Sequence, residues 1–174
     1  ALYGASPLGG VVNLDSKRPA ADRFLEVGVG TGSFDERWAT VDANAPLISN
    51  GALLGRVNLV WRDSDDFLAF SDTQRIYIAP ALTWRAGRDT TLTILARYQR
   101  DYDNPWSPVS AWGTIFPNAG GDLPISFSVN NPGERNVVNN ANSKQIGYVF
   151  DHAFSDNLKV SQTLRYERRK TFWD

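Results

Sequence analysis

A strict alternation of apolar and polar side chains runs through this chain from residue 24 and limits the folds that it can adopt. Successive side chains of a β-strand point to opposite faces, so a period of two residues predicts strands and argues against helices. In one segment the apolar positions are Leu92, Ile94, Ala96 and Tyr98, against Thr91, Thr93, Leu95, Arg97 and Gln99. The strands predicted in this way are residues 24–33, 37–45, 53–63, 75–85, 91–100, 145–154 and 158 to about 173.

The predicted strands are about ten residues long, which exceeds the usual five or six and matches the nine to eleven of a tilted membrane-crossing strand. Their connections alternate in length. Short turns rich in Gly, Asn and Asp lie at residues 48–51, 86–89 and 155–157, and longer loops lie at 64–73 and 103–143, with 32–35 as a short exception. Short turns at one end and long loops at the other are typical of an outer-membrane barrel. We therefore expect an all-β fold in which about seven up-and-down strands form part of a transmembrane antiparallel β-barrel, as a curved open sheet.

The placement of large aromatic side chains agrees with this expectation. Trp61 and Tyr98 fall near the long-loop ends of apolar faces, and Trp84 and Phe154 fall near the short-turn ends. Two such girdles mark the two interfaces of a membrane barrel, although aromatic residues also favour strands in general.

Composition excludes several other classes of function. The net charge is -1, which gives no support for nucleic-acid binding through phosphate neutralisation. With no cysteine and one histidine, the chain has no disulfide framework and no typical zinc site, so we expect no metal centre. No run of 18 apolar residues exists, and no nucleophile–base pattern or phosphate loop is present. We therefore expect no enzyme and no catalytic residues.

The first nineteen residues are of a different kind. A Gly/Pro turn leads into a short apolar strand at residues 11–14, and Pro19 ends the segment. The pattern Leu2-Tyr3-Gly4, then Gly9-Gly10-Val11-Val12-Asn13-Leu14, then Ser16-Lys17-Arg18-Pro19, resembles the end of the plug domain in TonB-dependent siderophore receptors. Downstream phrases resemble the opening barrel strands of the same family. They are Gly-Ser-Phe-Asp-Glu-Arg at 32–37, Arg-Asp-Ser-Asp-Asp-Phe at 62–67, Arg-Ile-Tyr-Ile-Ala-Pro-Ala-Leu-Thr-Trp at 75–84 and Phe-Ser-Asp-Asn at 154–157.

The resemblance implies a barrel of about 22 strands whose lumen holds an N-terminal plug. Residues 1–22 are then the C-terminal end of the plug and its tether, and residues 23–174 are the first part of the barrel. The hand-over from plug to barrel rests on Tyr3, Gly4, Gly9, Gly10 and Asn13, with residues 17–22 as the tether. The tether fixes direction, so the short turns are expected on the periplasmic side and the 103–143 loop outside the cell. The chain is expected to be a fragment, and its open sheet edges should prevent stable insertion on its own.

The function implied by the resemblance is TonB-dependent uptake of ferric siderophores through the outer membrane of a Gram-negative bacterium. The transported ligand is an iron(III)–siderophore complex, and no covalently bound cofactor is expected. The expected partners are TonB, acting through an N-terminal segment that this sequence lacks, the ferric siderophore, and outer-membrane lipid and lipopolysaccharide. Receptors for haem, cobalamin or glycans remain alternatives, as do a passive porin and, from another class, a soluble β-sandwich binding module.

Candidate ligand contacts lie in the long loop, which is rich in aromatic residues and stiffened by prolines. Aromatic side chains offer large amphipathic contact surfaces that suit a flat ligand. Alternatively, these rings have only a structural role and pack against other residues of the same loop. The candidates are Trp106, Trp112, Phe116 and Phe127.

For three further sets of residues, the sequence leaves more than one possible role open. The arginines on the polar faces are expected to contact plug carboxylates, an anionic ligand or water; they are Arg56, Arg62, Arg75, Arg85, Arg97 and Arg165. Glycines at every second position, Gly28, Gly30 and Gly32, suggest close approach of backbone or curvature of the strand, and in a plugged barrel they would face the plug. Arg168, Arg169 and Lys170 are interpreted as contacts to lipid phosphates or as solvated charges.

Overall fold

One sheet of seven antiparallel strands makes up the computed structural model, which describes residue 10 and residues 15–103, 109–129 and 139–172. Each strand pairs with the next along the chain, in the order β1 to β7. The prediction of seven up-and-down strands is therefore confirmed. The strands are β1 (Phe24–Thr31), β2 (Arg37–Pro46), β3 (Leu53–Asp65), β4 (Asp72–Ala86), β5 (Thr90–Asp103), β6 (Asn139–Ser155) and β7 (Leu158–Phe172).

Strands β3 to β6 are 13 to 17 residues long, which is longer than the alternation predicted, whereas β7 has about its predicted length. The predicted 64–73 loop is shorter as a result, because Ser64 pairs with Thr73 and Asp65 with Asp72. Likewise β6 begins at Asn139, so the loop before it ends sooner than predicted. The sequence pattern missed these ends because backbone pairing continues through polar residues, where the apolar alternation has already stopped. No helix in the described part of the chain is long and apolar enough to cross a membrane.

The register assigns every strand residue to one of two faces. The apolar face collects outward rows such as Gly55, Leu82, Ile94, Tyr148 and Leu164, which lie side by side on β3 to β7. The polar face consists of the residues between them, including the six arginines that the sequence placed on polar faces. Trp61 and Tyr98 lie at the loop end of the apolar face, and Trp84 and Phe154 lie at the short-turn end, as predicted.

Burial is inverted relative to a soluble sheet. The buried strand residues all lie on the polar face; they are Asp42, Asn44, Leu54, Ala81, Thr83, Thr93, Ala141, Ser143 and Val149. Large side chains of the apolar face stay exposed, among them Leu25, Trp61, Ile78, Trp84, Ile94 and Leu164. Soluble proteins rarely expose so large a contiguous apolar surface, whereas the lipid-facing side of a barrel is apolar by construction. On β4 the outward apolar run extends from Ile76 to Trp84, about the length of a membrane-crossing strand.

The alternating glycines of β1 face the polar side, where they make room for side chains of β2. A Cβ built on Gly30 would lie 2.4 Å from the ring of Trp38, and one on Gly28 would lie 2.7 Å from Thr40 Oγ1. Gly30 pairs directly with Trp38, so the indole lies across the bare backbone of β1. The expected close approach is therefore present, and side chains of β2 occupy the space that it leaves.

Candidate functional site

Ion pairs between strands occupy the polar face. Arg75 Nε lies 2.5 Å from Asp101 Oδ1, Arg97 Nη2 lies 2.9 Å from Glu167 Oε1, and Arg62 Nη2 lies 2.7 Å from Glu36 Oε1. Ser143 also donates to Glu167. Carboxylates of the sheet and of the β1–β2 turn therefore pair with Arg62, Arg75 and Arg97, while contacts of these arginines to a plug or a ligand stay a prediction.

The segment before β1 is fixed to this face by an acidic centre, Asp42 of β2. Arg56 of β3 donates to both carboxylate oxygens of Asp42, from Nε at 2.8 Å and from Nη2 at 2.7 Å. Lys17 Nζ lies 2.7 Å from Asp42 Oδ2, and Arg56 Nη1 donates to the carbonyl of Arg18 at 3.1 Å. With its amide nitrogen turned toward Asp42, Asn58 donates to the same carboxylate at 3.0 and 3.2 Å. Asp42 is therefore held by two cations and an amide.

A second fixed point lies two residues further along β2. Asn44 is only 2% exposed, and its side chain accepts a hydrogen bond from the amide of Ala20 at 2.9 Å. The same side chain donates to the carbonyls of Ala20, at 3.0 Å, and Asp22. An amide side chain that accepts and donates in this way replaces the backbone partners that residues 20–22 lack outside a sheet. We call Lys17, Asp42, Asn44 and Arg56 the tether clamp.

The tether clamp borders an open volume of about 670 Å³ over the polar face. Its lining includes Lys17, Asp42, Asn58, Tyr77, Arg97 and Gln145, from the segment before β1 and from β2 to β6. The lining is mostly polar or charged at the positions that project into the space. This surface can hold water or another polar protein segment.

A different arrangement lies at the opposite end of the sheet, in the two longer connections. The amide of Ala69 donates to the carbonyl of Ser126 at 2.8 Å, which joins the β3–β4 loop to residues 109–129. Between them lies a cavity of about 390 Å³, lined by Phe67, Leu68, Leu123, Ile125, Phe127 and Val129 among others. The two loops therefore form an apolar cleft at this end of the sheet. We call it the loop cleft.

Of the predicted ligand contacts in the long loop, one lines this cleft, two lie outside its lining, and one is not described. Trp112 and Phe116 contact each other, with ring centroids 5.5 Å apart, yet they are 64% and 52% exposed. Phe127 lines the loop cleft, and Trp106 lies outside the described residues. Sequence reasoning missed Phe67 and Leu68, the partners from the β3–β4 loop. Their signal was present, since they are apolar residues in a predicted loop.

Acidic residues gather near the loop cleft without forming a metal centre. Asp103 lies at the end of β5, beyond the apolar run, where burial and then the neighbouring carboxylates of Asp66, Asp101 and Asp72 raise its pKa. In the described ranges no group of three or more His, Cys, Asp or Glu side chains is placed to hold a metal ion.

Of the predicted hand-over residues, only Gly10 falls within the described part of the chain. Its φ is +85°, a left-handed conformation that side chains rarely adopt, so glycine suits this position. Tyr3, Gly4, Gly9 and Asn13 lie outside the described residues.

Comparisons with known proteins give a consistent picture, although no family model matches the sequence. The chain is 34% identical over 167 residues to the metal-pseudopaline receptor CntO of Pseudomonas aeruginosa, covering 95% of this chain and 23% of that protein. It is 34% identical over 174 residues to the ferrichrome outer membrane transporter/phage receptor of Escherichia coli K12, covering 98% and 23%. The chain thus spans about a quarter of the length of these relatives. The crystal structure of the ferric-catecholate import receptor Fiu of E. coli K12, in its closed form, shares the fold, with a TM-score of 0.80, 21% identity and coverage of 98% and 25%.

Proposed function

We propose, from the homology of this chain to TonB-dependent siderophore receptors, that it forms the first part of a barrel wall in an outer-membrane protein that imports ferric siderophores. The observation that carries the proposal is the inverted burial of the sheet, with polar residues buried on one face and apolar residues exposed on the other. A soluble β-sandwich module would bury the apolar face instead. The homologues are transport receptors, and transport of this kind requires no covalent chemistry.

The division of the chain follows from the same reasoning. Residues 1–22 are the end of a plug and its tether, and residues 23–174 belong to the barrel. The tether clamp supports this division, because Asp42, Asn44 and Arg56 of β2 and β3 bind side-chain and backbone atoms of residues 17–22. A passive porin has no plug and would not need such an attachment. The clamp would be the fixed end of a plug that TonB displaces from its own N-terminal side, in a Gram-negative outer membrane.

The loop cleft is the proposed ligand-contacting region of this part of the receptor. Trp112 and Phe116 present exposed rings, and Phe127 lines the apolar cavity between the loops. Aromatic faces cover flat, partly apolar ligands such as the chelating groups of a ferric siderophore. Trp106 belongs to the same proposal through its place in the loop. The cargo is an iron(III)–siderophore complex, and the receptor itself needs no covalently bound cofactor.

A second candidate ligand class comes from one relative. CntO, by its name, is a receptor for metal–pseudopaline, and its identity to this chain equals that of the ferrichrome transporter. Another small metal chelate is therefore the main alternative to a ferric siderophore.

Uptake by the full-length receptor tests the proposal. A strain that lacks its gene, grown under iron limitation, should regain uptake of radioactive iron from at least one ferric siderophore when the gene is restored. The uptake should disappear when TonB is deleted. Uptake that persists without TonB would indicate a passive pore, and uptake only of other metal chelates would favour the second candidate.

A binding experiment tests the ligand contacts. In the full-length receptor, Trp112→Ala and Phe116→Ala together should raise the Kd for the transported chelate about tenfold, the loss expected when two stacking faces are removed. Ile115→Ala is the matched control, since Ile115 is a neighbouring apolar side chain with 78% exposure. An equal effect of both changes would contradict a specific role for the rings.

A further inference from the structure

The lining of the loop cleft contains charge of one sign only. Asp122 is the one charged side chain among the described residues that line the cavity, and the rest of the lining is apolar or neutral. Asp122 is exposed, so its carboxylate is accessible to a ligand. In a mostly apolar cavity, a single polar group determines which chemical group the ligand must present. Here that group is a cation.

Backbone hydrogen bonds fix the position of Asp122 in the wall of the cleft. The amide of Leu123, the next residue, donates to the carbonyl of Gly113 at 2.7 Å. The bond from Ala69 to Ser126 then holds the same segment against the β3–β4 loop. The carboxylate therefore stands on a folded segment, with the apolar lining of both loops around it.

The two connections that form the cleft are acidic throughout their sequence. Residues 64–73 and 104–138 together contain five carboxylates and one basic side chain; they are Asp65, Asp66, Asp72, Asp122 and Glu134, against Arg135. The fields of several like charges add at a distance and steer ligands of the opposite sign. The approach to the cleft therefore favours a cation and disfavours an anion.

Asp103, at the end of β5, shows the effect of this charge on a titratable group. Burial, and then the neighbouring carboxylates of Asp66, Asp101 and Asp72, raise the pKa of Asp103. A group of carboxylates that disfavours the ionisation of one of its members also disfavours an anion that approaches it.

The arginines on the polar face at this end of the sheet do not offset the acidic charge. Arg62 pairs with Glu36, and Arg75 pairs with Asp101. Arg169 lies on the same face, one row further from the loops than Arg75. The nearest basic side chains are thus already neutralised by carboxylates of the protein.

Aromatic rings beside the cleft indicate the same ligand charge independently. Trp112 and Phe116 are exposed, and Trp112 adjoins Gly113, which lines the cavity. The face of an aromatic ring carries negative potential and attracts an ammonium group within about 6 Å of its centroid. A carboxylate and two ring faces therefore offer contacts to one cationic group.

We propose that the loop cleft selects its cargo by charge and binds the ammonium group of a cationic metal chelate, which pairs with Asp122. The inference rests on the proposed function, because it needs the cleft to contact the transported chelate. Hydroxamate complexes can supply this charge, since three hydroxamate groups neutralise iron(III) and a terminal amine then adds one positive charge. Neutral chelates bind more weakly, and anionic chelates, such as ferric tris-catecholates, bind least.

The test compares iron(III) complexes of one linear trihydroxamate whose terminal amine is free, acetylated or succinylated. These complexes are cationic, neutral and anionic in turn, and their Kd is measured with the full-length receptor in neutral detergent. Each step should weaken binding about fivefold, the upper range for an exposed ion pair. The dimethylated amine keeps the positive charge and adds bulk, so it should bind like the free amine.

A variant assigns the preference to the carboxylate. Asp122→Asn should reduce the preference for the free amine over the acetylated form from about fivefold to less than about twofold. The matched control is Asp156→Asn, which removes the same charge in the short turn between β6 and β7 and should keep the full preference. High salt should shrink the preference of the wild type, because charges at an exposed site are screened.

Four results would overturn the proposal. They are equal binding of the three hydroxamate complexes, tightest binding of the anionic one, binding of none of them, and an unchanged preference in Asp122→Asn. TonB-dependent uptake of a ferric tris-catecholate in place of the hydroxamates would remove this inference and leave the transport proposal intact. Absence of TonB-dependent uptake of every metal chelate would contradict the transport proposal itself.

Discussion

The two faces of this sheet belong to the same strands but differ in which side chains are buried and paired. On the polar face, charged and amide side chains are paired across strands, and the buried residues Asp42 and Asn44 bind the segment before β1. On the apolar face, large side chains stand exposed in rows, and cations collect only at one rim. The difference teaches that alternation alone does not say which face is inside. Burial decides it, and here the polar side is the inner one.

The largest expected effect comes from removing the acidic centre of the polar face. Asp42→Ala leaves Arg56, with a side chain only 16% exposed, and Lys17 without their carboxylate. Loss of one partner from a buried pair typically costs about 3 to 5 kcal/mol. The free energy of unfolding of the full-length receptor in detergent measures it. Asp101→Ala, which breaks the more exposed pair with Arg75, is the control and should cost clearly less.

The second expected effect contrasts neighbouring residues on the two faces of β5. Ile94→Arg places a charge at the middle of the apolar face, where lipid-facing arginine costs about 2 to 4 kcal/mol. Leu95→Arg places the same charge beside the open volume over the polar face and should cost less than about 1 kcal/mol. Folding of both variants into lipid vesicles, measured by denaturant titration, gives the comparison. Equal costs would contradict the assignment of the faces.

The sequence predicted which face each strand residue belongs to, but it did not predict the contacts made on the polar face. The alternation in residues 91–100 was sufficient to assign Ile94 and Leu95 to opposite sides, because side-chain direction depends only on strand parity. The tether clamp could not be predicted in this way. Asn44 binds backbone atoms of Ala20 and Asp22, and no side-chain pattern records a backbone partner.

The loops show the same limit. Phe67 and Phe127 lie about sixty residues apart in the sequence, and only the pairing of β4 with β5 and β5 with β6 brings their loops together. The aromatic content of the long loop was visible in the sequence. Its docking partner depended on contacts between the two loops, such as the hydrogen bond from Ala69 to Ser126, which no alternation records.

A third effect tests the packing of the polar face at β1. Gly30→Ala would place a Cβ 2.4 Å from the Trp38 ring and should cost about 1 to 2 kcal/mol through overpacking. In a Trp38→Leu background the same change should cost much less, because the ring is gone. Gly120→Ala is a control, since its nearest atom would be 3.8 Å away. An equal cost of Gly30→Ala in both backgrounds would exclude the indole as the cause.

The smallest effect is expected at an exposed ion pair of the same face. Arg62→Gln breaks the contact with Glu36, in which the arginine side chain is 54% exposed. Such pairs contribute about 0 to 1 kcal/mol and are screened by salt. The cost measured in low salt should therefore shrink further at high ionic strength. A cost as large as that of Asp42→Ala would show that the polar face does not distinguish buried from exposed pairs.

The most direct test of the central claim is a spin-label scan of β5 in the full-length receptor in lipid vesicles. Single cysteines at 91 to 98 carry a nitroxide, and collision rates are measured with oxygen, which concentrates in lipid, and with a water-soluble nickel complex. The account predicts a period of two, with positions 92, 94, 96 and 98 accessible to oxygen and positions 91, 93, 95 and 97 not. Oxygen accessibility at the odd positions, or none at either set, would contradict a barrel wall whose apolar face meets the membrane.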